Sequence, residues 1–225
     1  IVEKLYQKAQ KNTKSGQKEG MPMKELVEKI LTALKEGTSL RKLTFGKEEL
    51  VLLKNFQLLT LKPVLYVANV NESGFENNPH LDLILDYATQ DHSKVVPICA
   101  EIEAEICELS NDEKKEFLLE MGQNESGLDR LIKAGYDLLG LHTYFTAGEK
   151  EVKAWTITVG DSAPVAAGKI HTDFEKGFIR AETISFQDYI TYKGEKGAKD
   201  AGKLRTEGKD YVVKDGDIMH FLHNT

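Results

Sequence analysis

Cysteine is nearly absent from this sequence of 225 residues, and Cys99 and Cys107 are the only two. If one helix joins them, they stand about 12 Å apart at roughly 1.5 Å rise per residue, beyond the reach of a disulfide. Both are expected to be reduced, buried thiols, which suits a reducing compartment. Long apolar runs are missing too, since none approaches the roughly 18 residues a spanning helix needs. The first twenty residues, "IVEKLYQKAQKNTKSGQKEG", contain no apolar segment ahead of a cleavage site, so no membrane partner and a cytoplasmic protein are the expectation.

No excess of charge draws the whole chain to nucleic acid or an anionic surface: 30 Lys and Arg stand against 36 Asp and Glu. Any basic patch must therefore be local. The chain also lacks G-x-x-x-x-G-K-[ST], the loop whose backbone amides and lysine cradle phosphates, and Gly46-Lys47 is followed by Glu48 rather than a hydroxyl residue. His171 and Asp173 are spaced like a metal pair, but two ligands do not complete a site, and His142, His220 and His223 are not spaced to join them.

What is present divides by texture. Residues 1–20 are rich in Lys, Gln and Glu, with a Ser-Gly break at 15 and 16. Met23, Leu26, Val27, Ile30, Leu31 and Leu34 then recur at helical spacing up to Gly37. A narrow apolar seam with charged flanks suits two arms of a helical hairpin, and a surface helix on a globular body is the alternative. A further apolar helix, roughly 47–57, leads to Pro63.

Strand and helix then alternate: "VLYVANV" (64–70), "NNPHLDLILDYATQ", "KVVPICA" (94–100) and "EIEAEICEL". Continuous apolar strands separated by amphipathic helices indicate a parallel sheet covered on both faces. Ser110 to Glu113 and Ser126 to Asp129 have capping-box spacing and start the next two helices.

After residue 141 the pattern turns to short β-rich runs and implies a small α+β domain at 142–225. "HTYFTA" and "EVKAWTITV" form a hairpin through Gly148-Glu149-Lys150, and "APVAAGKI" is a short helix or turn. "GFIRAETI" is a strand, and "DYVVKDGDIMHFLH" is expected to be two strands around Asp215-Gly216. Tyr136, Tyr144, Trp155, Phe174, Phe178 and Phe186 are expected in the core.

Two segments carry chemistry. At the carboxyl end of the first parallel strand, Asn69-Val70-Asn71-Glu72 places a side-chain amide where ligands collect in open α/β sheets, and it reads either as a base reader or as a strand cap. Residues 193–209 hold Lys193, Lys196, Lys199, Lys203, Arg205 and Lys209 against Glu195, Asp200 and Glu207, which is either an RNA-phosphate contact or a solvated face.

"TLKPVLYVANVNE", "VVPICAEIEAEI", "GLDRLIKAGYDLLGLHTYFTAGEKEVKAWTI", "GKIHTDFEKGFIRAETI" and "GEKGAKDAGKLRTEGKDYVVKDGDIMHF" resemble the YchF, or Obg-like ATPase, family of P-loop proteins over nearly the whole chain. The resemblance implies α/β plus α+β architecture. Residues 1–57 would be a helical hairpin (coiled-coil) insertion, 58–141 the C-terminal part of the nucleotide-binding domain, and 142–225 a ubiquitin-like β-grasp TGS domain. It implies ATP as ligand, with Mg²⁺ ligands upstream, and a ribosome-associated, redox- or stress-regulating role. The TGS domain would offer the contact to ribosome or RNA.

The family's Asn-x-x-Glu motif falls on Asn69, Val70 and Glu72, and its next nucleotide loop falls near Cys99, Ala100 and Glu101. Guanine-specific relatives use Asn-Lys-x-Asp, whose carboxylate accepts two hydrogen bonds from the base. The longer Glu72 disturbs that fork, so ATP is favoured over GTP. Family members begin with the phosphate loop and magnesium ligands, whereas this chain starts inside the hairpin. It is expected to be the C-terminal portion, without hydrolysis of its own.

Overall fold

In a computed structural model, the structure describes residues 1–14, 20–148 and 150–224, with the side chains of 12–21 outside the description. The Ser-Gly break at 15 and 16 and Glu149 of the expected hairpin turn lie outside the described residues. The chain forms two compact units, Ile1–Ala134 and Gly135–Thr225.

The first unit opens with α1 (Val2–Lys14) and α2 (Gly20–Lys35), which pack on each other. Leu26, Val27, Ile30 and Ala33 recur at the three- and four-residue spacing that lines one face of a helix, and all four are buried. Gly37 ends the helix at φ 74°, a left-handed conformation that glycine adopts without steric cost. Leu40, in a tight turn at Leu40–Lys42, and Leu53, in α3 (Lys47–Lys54), complete this apolar cluster. Each fully buried aliphatic side chain here contributes about 1.5–3 kcal/mol.

Next come β1 (Leu65–Asn69), α4 (Pro79–Gln90), β2 (Lys94–Ile98) and α5 (Ala100–Glu108). The strands pair in parallel, Leu65 opposite Lys94 through Asn69 opposite Ile98, as alternating strands and helices require. Tyr66 meets Tyr87 of α4 edge to face at 6.0 Å. Coverage is less complete than the apolar runs imply: Val67 is 45% exposed, and no residue of β1 is fully buried. Helices α6 (Asn111–Glu120) and α7 (Gly127–Leu139) follow. Both expected caps form, with the Ser110 and Ser126 hydroxyls accepting from the amides of Glu113 and Asp129.

The second unit is a five-stranded sheet. Its strands are β3 (Leu141–Ala147), β4 (Val152–Thr158), β5 (Phe178–Ser185), β6 (Arg205–Glu207) and β7 (Asp217–His223), in the order β4-β3-β7-β5-β6. β3 and β4 pair antiparallel, as expected of the hairpin, while β3 runs parallel to β7. The run "APVAAGKI" is a helix, α8 (Ala163–Ile170), and α9 (Thr172–Lys176) follows it. Ala163, Ala166 and Ala167 are buried, and their small side chains let α8 approach close enough for the Tyr144 hydroxyl to donate to the Ala166 carbonyl at 2.8 Å. Burial pushes the Tyr144 phenol up. Helices α10 (Phe186–Thr191) and α11 (Glu195–Asp200) bridge β5 and β6.

Three expectations are corrected. Asp215-Gly216 does not join two strands. Residues 211–213 turn away to dock on the start of α8, where Ala163 donates to Tyr211 and Val213 donates to Asp161. The Asp-Gly turn is tied to β3 instead, with the Thr143 amide donating to Asp215 Oδ1 at 2.7 Å and the Gly216 amide to the Thr143 carbonyl at 2.7 Å. Cys107 is a free but exposed thiol, because Ile102 and Ile106 define the inward face of α5 and Cys107 falls beside it; Cys99 is buried. Of the expected core aromatics, Tyr144 and Phe178 are buried and Trp155 and Phe174 pack partly on that core, but Tyr136 and Phe186 are 37% and 50% exposed.

Candidate nucleotide-binding site

β1 and β2 end side by side, so their exit loops leave from the same edge of the strand pair. At the end of β1 the Asn69 side chain reaches across to the second loop, and its Oδ1 accepts from the Ala100 amide at 3.0 Å. The Val70 amide continues the ladder by donating to the Ile98 carbonyl at 2.8 Å. Asn69, Val70, Cys99 and Ala100 are therefore brought together, with Cys99 buried as the N-cap of α5 and Ala100 as its first residue. Glu72 lies exposed on the turn that follows Asn69.

The Ala100 contact fixes the orientation of the Asn69 amide. A backbone N–H requires an acceptor, so the oxygen faces Ala100 and the two hydrogens of Nδ2 are left for another partner. A donor pair on an exposed side chain at the carboxyl edge of parallel strands suits an acceptor atom on a planar heterocycle.

The turn is braced by residues that motif reading passed over. The Gly74 amide donates to the Asn71 carbonyl at 2.9 Å, and Asn78 Nδ2 donates to the Gly74 carbonyl at 3.0 Å. Gly74 is buried, and a Cβ there would lie 2.5 Å from Asn71 Oδ1 and 3.2 Å from the Asn71 carbonyl oxygen, so only glycine fits without a shift. Asn78 also caps α4, its Oδ1 accepting from the His80 and Leu81 amides. The Asn-Pro pair at 78 and 79 signals that cap in sequence.

Glu103, in the first turn of α5, clamps the second loop. Its carboxylate accepts from the Gly127 amide at 2.7 Å and the Leu128 amide at 3.0 Å, so α5 is held on the N-terminus of α7. Nothing local in the sequence marks this contact, because the partners are 24 and 25 residues away.

The basic residues belong to the second unit. Lys193, in a left-handed conformation at φ 58°, and Lys196 and Lys199 of α11 are exposed. Lys203 Nζ lies 3.7 Å from Asp188 Oδ1. Arg205 is committed to the fold: it pairs with Glu207 at 2.9 Å and reaches the Tyr211 hydroxyl at 3.2 Å and buried Asp217 at 3.4 Å. Burial and the hydrogen bond to Asp217 push the Tyr211 phenol up to about 12. His171 caps α9, Nδ1 accepting from the Asp173 amide. Among the described residues, no group of three or more His, Cys, Asp or Glu side chains is placed to hold a metal ion.

Known proteins are similar to this chain. Residues 141–224 match the family model YchF-GTPase_C, described as "Protein of unknown function (DUF933)". The chain is 57% identical over 222 residues to the ribosome-binding ATPase YchF of Escherichia coli O157:H7, covering 99% of this chain and 61% of that protein. The chain belongs to the YchF, or Obg-like, family. A second relative, the ribosome-binding ATPase YchF of Bacillus subtilis (strain 168), is 48% identical over 226 residues, with 99% of this chain and 62% of the relative covered. The solved YchF GTPase of Schizosaccharomyces pombe superposes with a TM-score of 0.83 at 33% identity, over 98% of this chain and 61% of that one. The chain thus spans about three fifths of the relatives it matches, and its mixed α/β fold is similar to that YchF structure.

Proposed function

We propose that the 69–72 turn and the Cys99-Ala100 loop form the base-reading part of an ATP site in a ribosome-associated Obg-like ATPase. The observation that carries this reading is the hydrogen bond from the Ala100 amide to Asn69 Oδ1, which ties the two loops together and leaves Nδ2 as the donor for another partner. An adenine ring nitrogen is the acceptor that Nδ2 would meet, and a backbone carbonyl of the loops would accept from the exocyclic amino group. Glu72 stands where a guanine reader holds Asp, so a guanine would leave its paired donors badly matched, and ATP is preferred over GTP. Names alone do not decide the base, since the bacterial relatives are called ATPases and the fission yeast structure a GTPase.

The domains that accompany this reading are a helical hairpin at 1–57, the C-terminal part of a nucleotide-binding domain at 58–141 and a β-grasp TGS domain at 142–225. Mg²⁺ would accompany the ATP phosphates, and no ligand to it is assigned among the described residues. The sequence contains no G-x-x-x-x-G-K-[ST] loop, so no hydrolytic step is assigned to these residues. A cytoplasmic site of action goes with ribosome binding, and no helix among the described residues is long and apolar enough to cross a membrane. Calorimetry on the complete protein is the test. ATP should bind more tightly than GTP, and Asn69→Ala should weaken ATP by about tenfold, a loss of about 1.4 kcal/mol. Equal affinities, or tighter GTP, would count against the reading.

A second reading, an RNA-contacting module without turnover, is favoured by the exposed Lys193, Lys196 and Lys199 and by the separate compactness of the second unit. Lys199→Glu with Lys203→Glu should weaken binding to ribosomal RNA and flatten its salt dependence by about one unit of log–log slope for each phosphate no longer neutralised. An unchanged slope would retire this surface. Arg205 is expected to contribute little, since its guanidinium is held by Glu207, Tyr211 and Asp217.

A further inference from the structure

Two apolar clusters in the first unit share no residue. One is built from residues between Val2 and Leu61 and belongs to the hairpin and its base, and the other gathers Phe75, Cys99, Ile102, Ile106, Phe117, Leu118 and Met121 around the candidate loops. A polar knot around Asp91 connects the hairpin's base to β1, α4 and β2. Asp91 is fully buried and caps the C-terminus of α4. Its Oδ2 accepts from Arg41 Nε at 2.7 Å, Ser93 Oγ at 3.1 Å and the Tyr66 hydroxyl at 3.3 Å. Oδ1 has no hydrogen-bond partner, and Lys42 Nζ stands 3.8 Å from it while also lying over the Tyr87 ring.

The donors come from both bodies. Arg41 and Lys42 follow Leu40, which is buried in the hairpin's own cluster, and Arg41 also holds the Thr60 carbonyl. Tyr66 lies on β1 three residues before Asn69, and Ser93 directly precedes β2, which leads to Cys99 and Ala100. Asp91 itself ends the helix whose N-cap, Asn78, closes the 69–78 turn. The knot therefore touches the near ends of β1, β2 and α4, whose far ends lead to the candidate site.

We infer that the Asp91 knot is the joint that sets the helical hairpin against the base-reading strand pair and couples hairpin position to nucleotide occupancy. The coupling half of this inference rests on the ATP reading above. A shared apolar core tolerates many small slips, whereas a buried carboxylate with directional donors is satisfied in one arrangement. Moving the hairpin drags Arg41 and Lys42, and Asp91 passes that pull to α4, β1 and β2 together. Occupancy at the loops acts back through the same bonds, since coupling between two sites is reciprocal.

The test uses the complete protein with spin labels on the exposed faces of α2 and α4, at Glu28 and Asp86, in the parent, Arg41→Gln, Arg41→Lys and Asp91→Asn. The parent should give one narrow distance distribution that shifts with ATP. Arg41→Gln and Asp91→Asn should broaden it and raise the ATP dissociation constant by about fivefold, and Arg41→Lys should restore most of the narrowness. The Arg41 pair carries the test if Asp91→Asn fails to fold. A distribution as narrow in Arg41→Gln as in the parent overturns the joint. Broadening with unchanged ATP affinity overturns the coupling, and a parent that binds no ATP overturns the nucleotide reading while the nucleotide-free distances still decide the joint.

Discussion

Replacing Glu103 with Ala removes the clamp between α5 and α7, and its cost can be worked from the geometry. The carboxylate receives two backbone amides, Gly127 at 2.7 Å and Leu128 at 3.0 Å. Gly127 is buried, and leaving its N–H without a partner costs about 1–3 kcal/mol. Leu128 is 44% exposed, so water replaces the carboxylate there and the net loss is small, about 0.5 kcal/mol. Loss of a negative charge at the start of a 13-residue helix adds about 0.3–1 kcal/mol. The Ser126 hydroxyl still accepts from Asp129, so the helix keeps one cap. Together these come to about 2–4.5 kcal/mol for Glu103→Ala. Glu103→Gln retains one oxygen for Gly127 but turns an NH₂ toward the second amide, and should cost about half as much. Urea unfolding followed by far-UV circular dichroism reads the change in stability, and hydrogen exchange at the α7 amides localises it. A loss below about 0.5 kcal/mol for Glu103→Ala, or exchange that rises throughout the chain and not first in α7, would refute the clamp.

Gly74→Ala should destabilise by about 1–3 kcal/mol, because the Asn71 side chain can swing away from the new methyl but the backbone oxygen 3.2 Å from it cannot; a melting temperature equal to the parent's would contradict this. Acid should weaken the Asp91 knot in a defined direction. Burial alone would raise the Asp91 pKa, but the hydrogen bonds from Arg41 and Ser93 outweigh it and hold the group below its ordinary 3.8. A depressed folded value means that the contribution is fully present above the unfolded value and is lost as pH falls through the folded one. The stability gap between parent and Asp91→Asn, measured by urea unfolding, should therefore be constant above about pH 5 and shrink below about pH 4, and a gap that grows on acidification would reverse the assignment.

Local rules made much of this chain legible. The apolar spacing of Leu26, Val27 and Ile30, the strand and helix alternation from Val64 to Glu108 and the serine caps at 110 and 126 each rest on contacts within a few residues. Asn69 stood out at a strand end, which is local, whereas Cys99 and Ala100 followed only from the resemblance to the family. Position 72 is legible as a residue type, a Glu where a guanine reader holds Asp. The Asp215-Gly216 expectation failed because a turn signal states where a chain bends and not what the arms pair with; Tyr211 and Val213 found partners at the start of α8 and on the loop before it.

By itself, then, the sequence determined the alternation of elements, their caps and the residue types at the strand ends, because those depend on backbone sterics and side-chain period. Tertiary structure decided which of those residues meet. It turned the Asn69 oxygen to Ala100, placed Glu103 on a helix 24 residues later, and buried Asp91 between Arg41, Tyr66 and Ser93. It also spent Arg205 on Asp217 and left Cys107 in solvent. Those choices depend on long-range packing and on the rule that a buried charge or amide must find a partner, and no local window of sequence contains the partner.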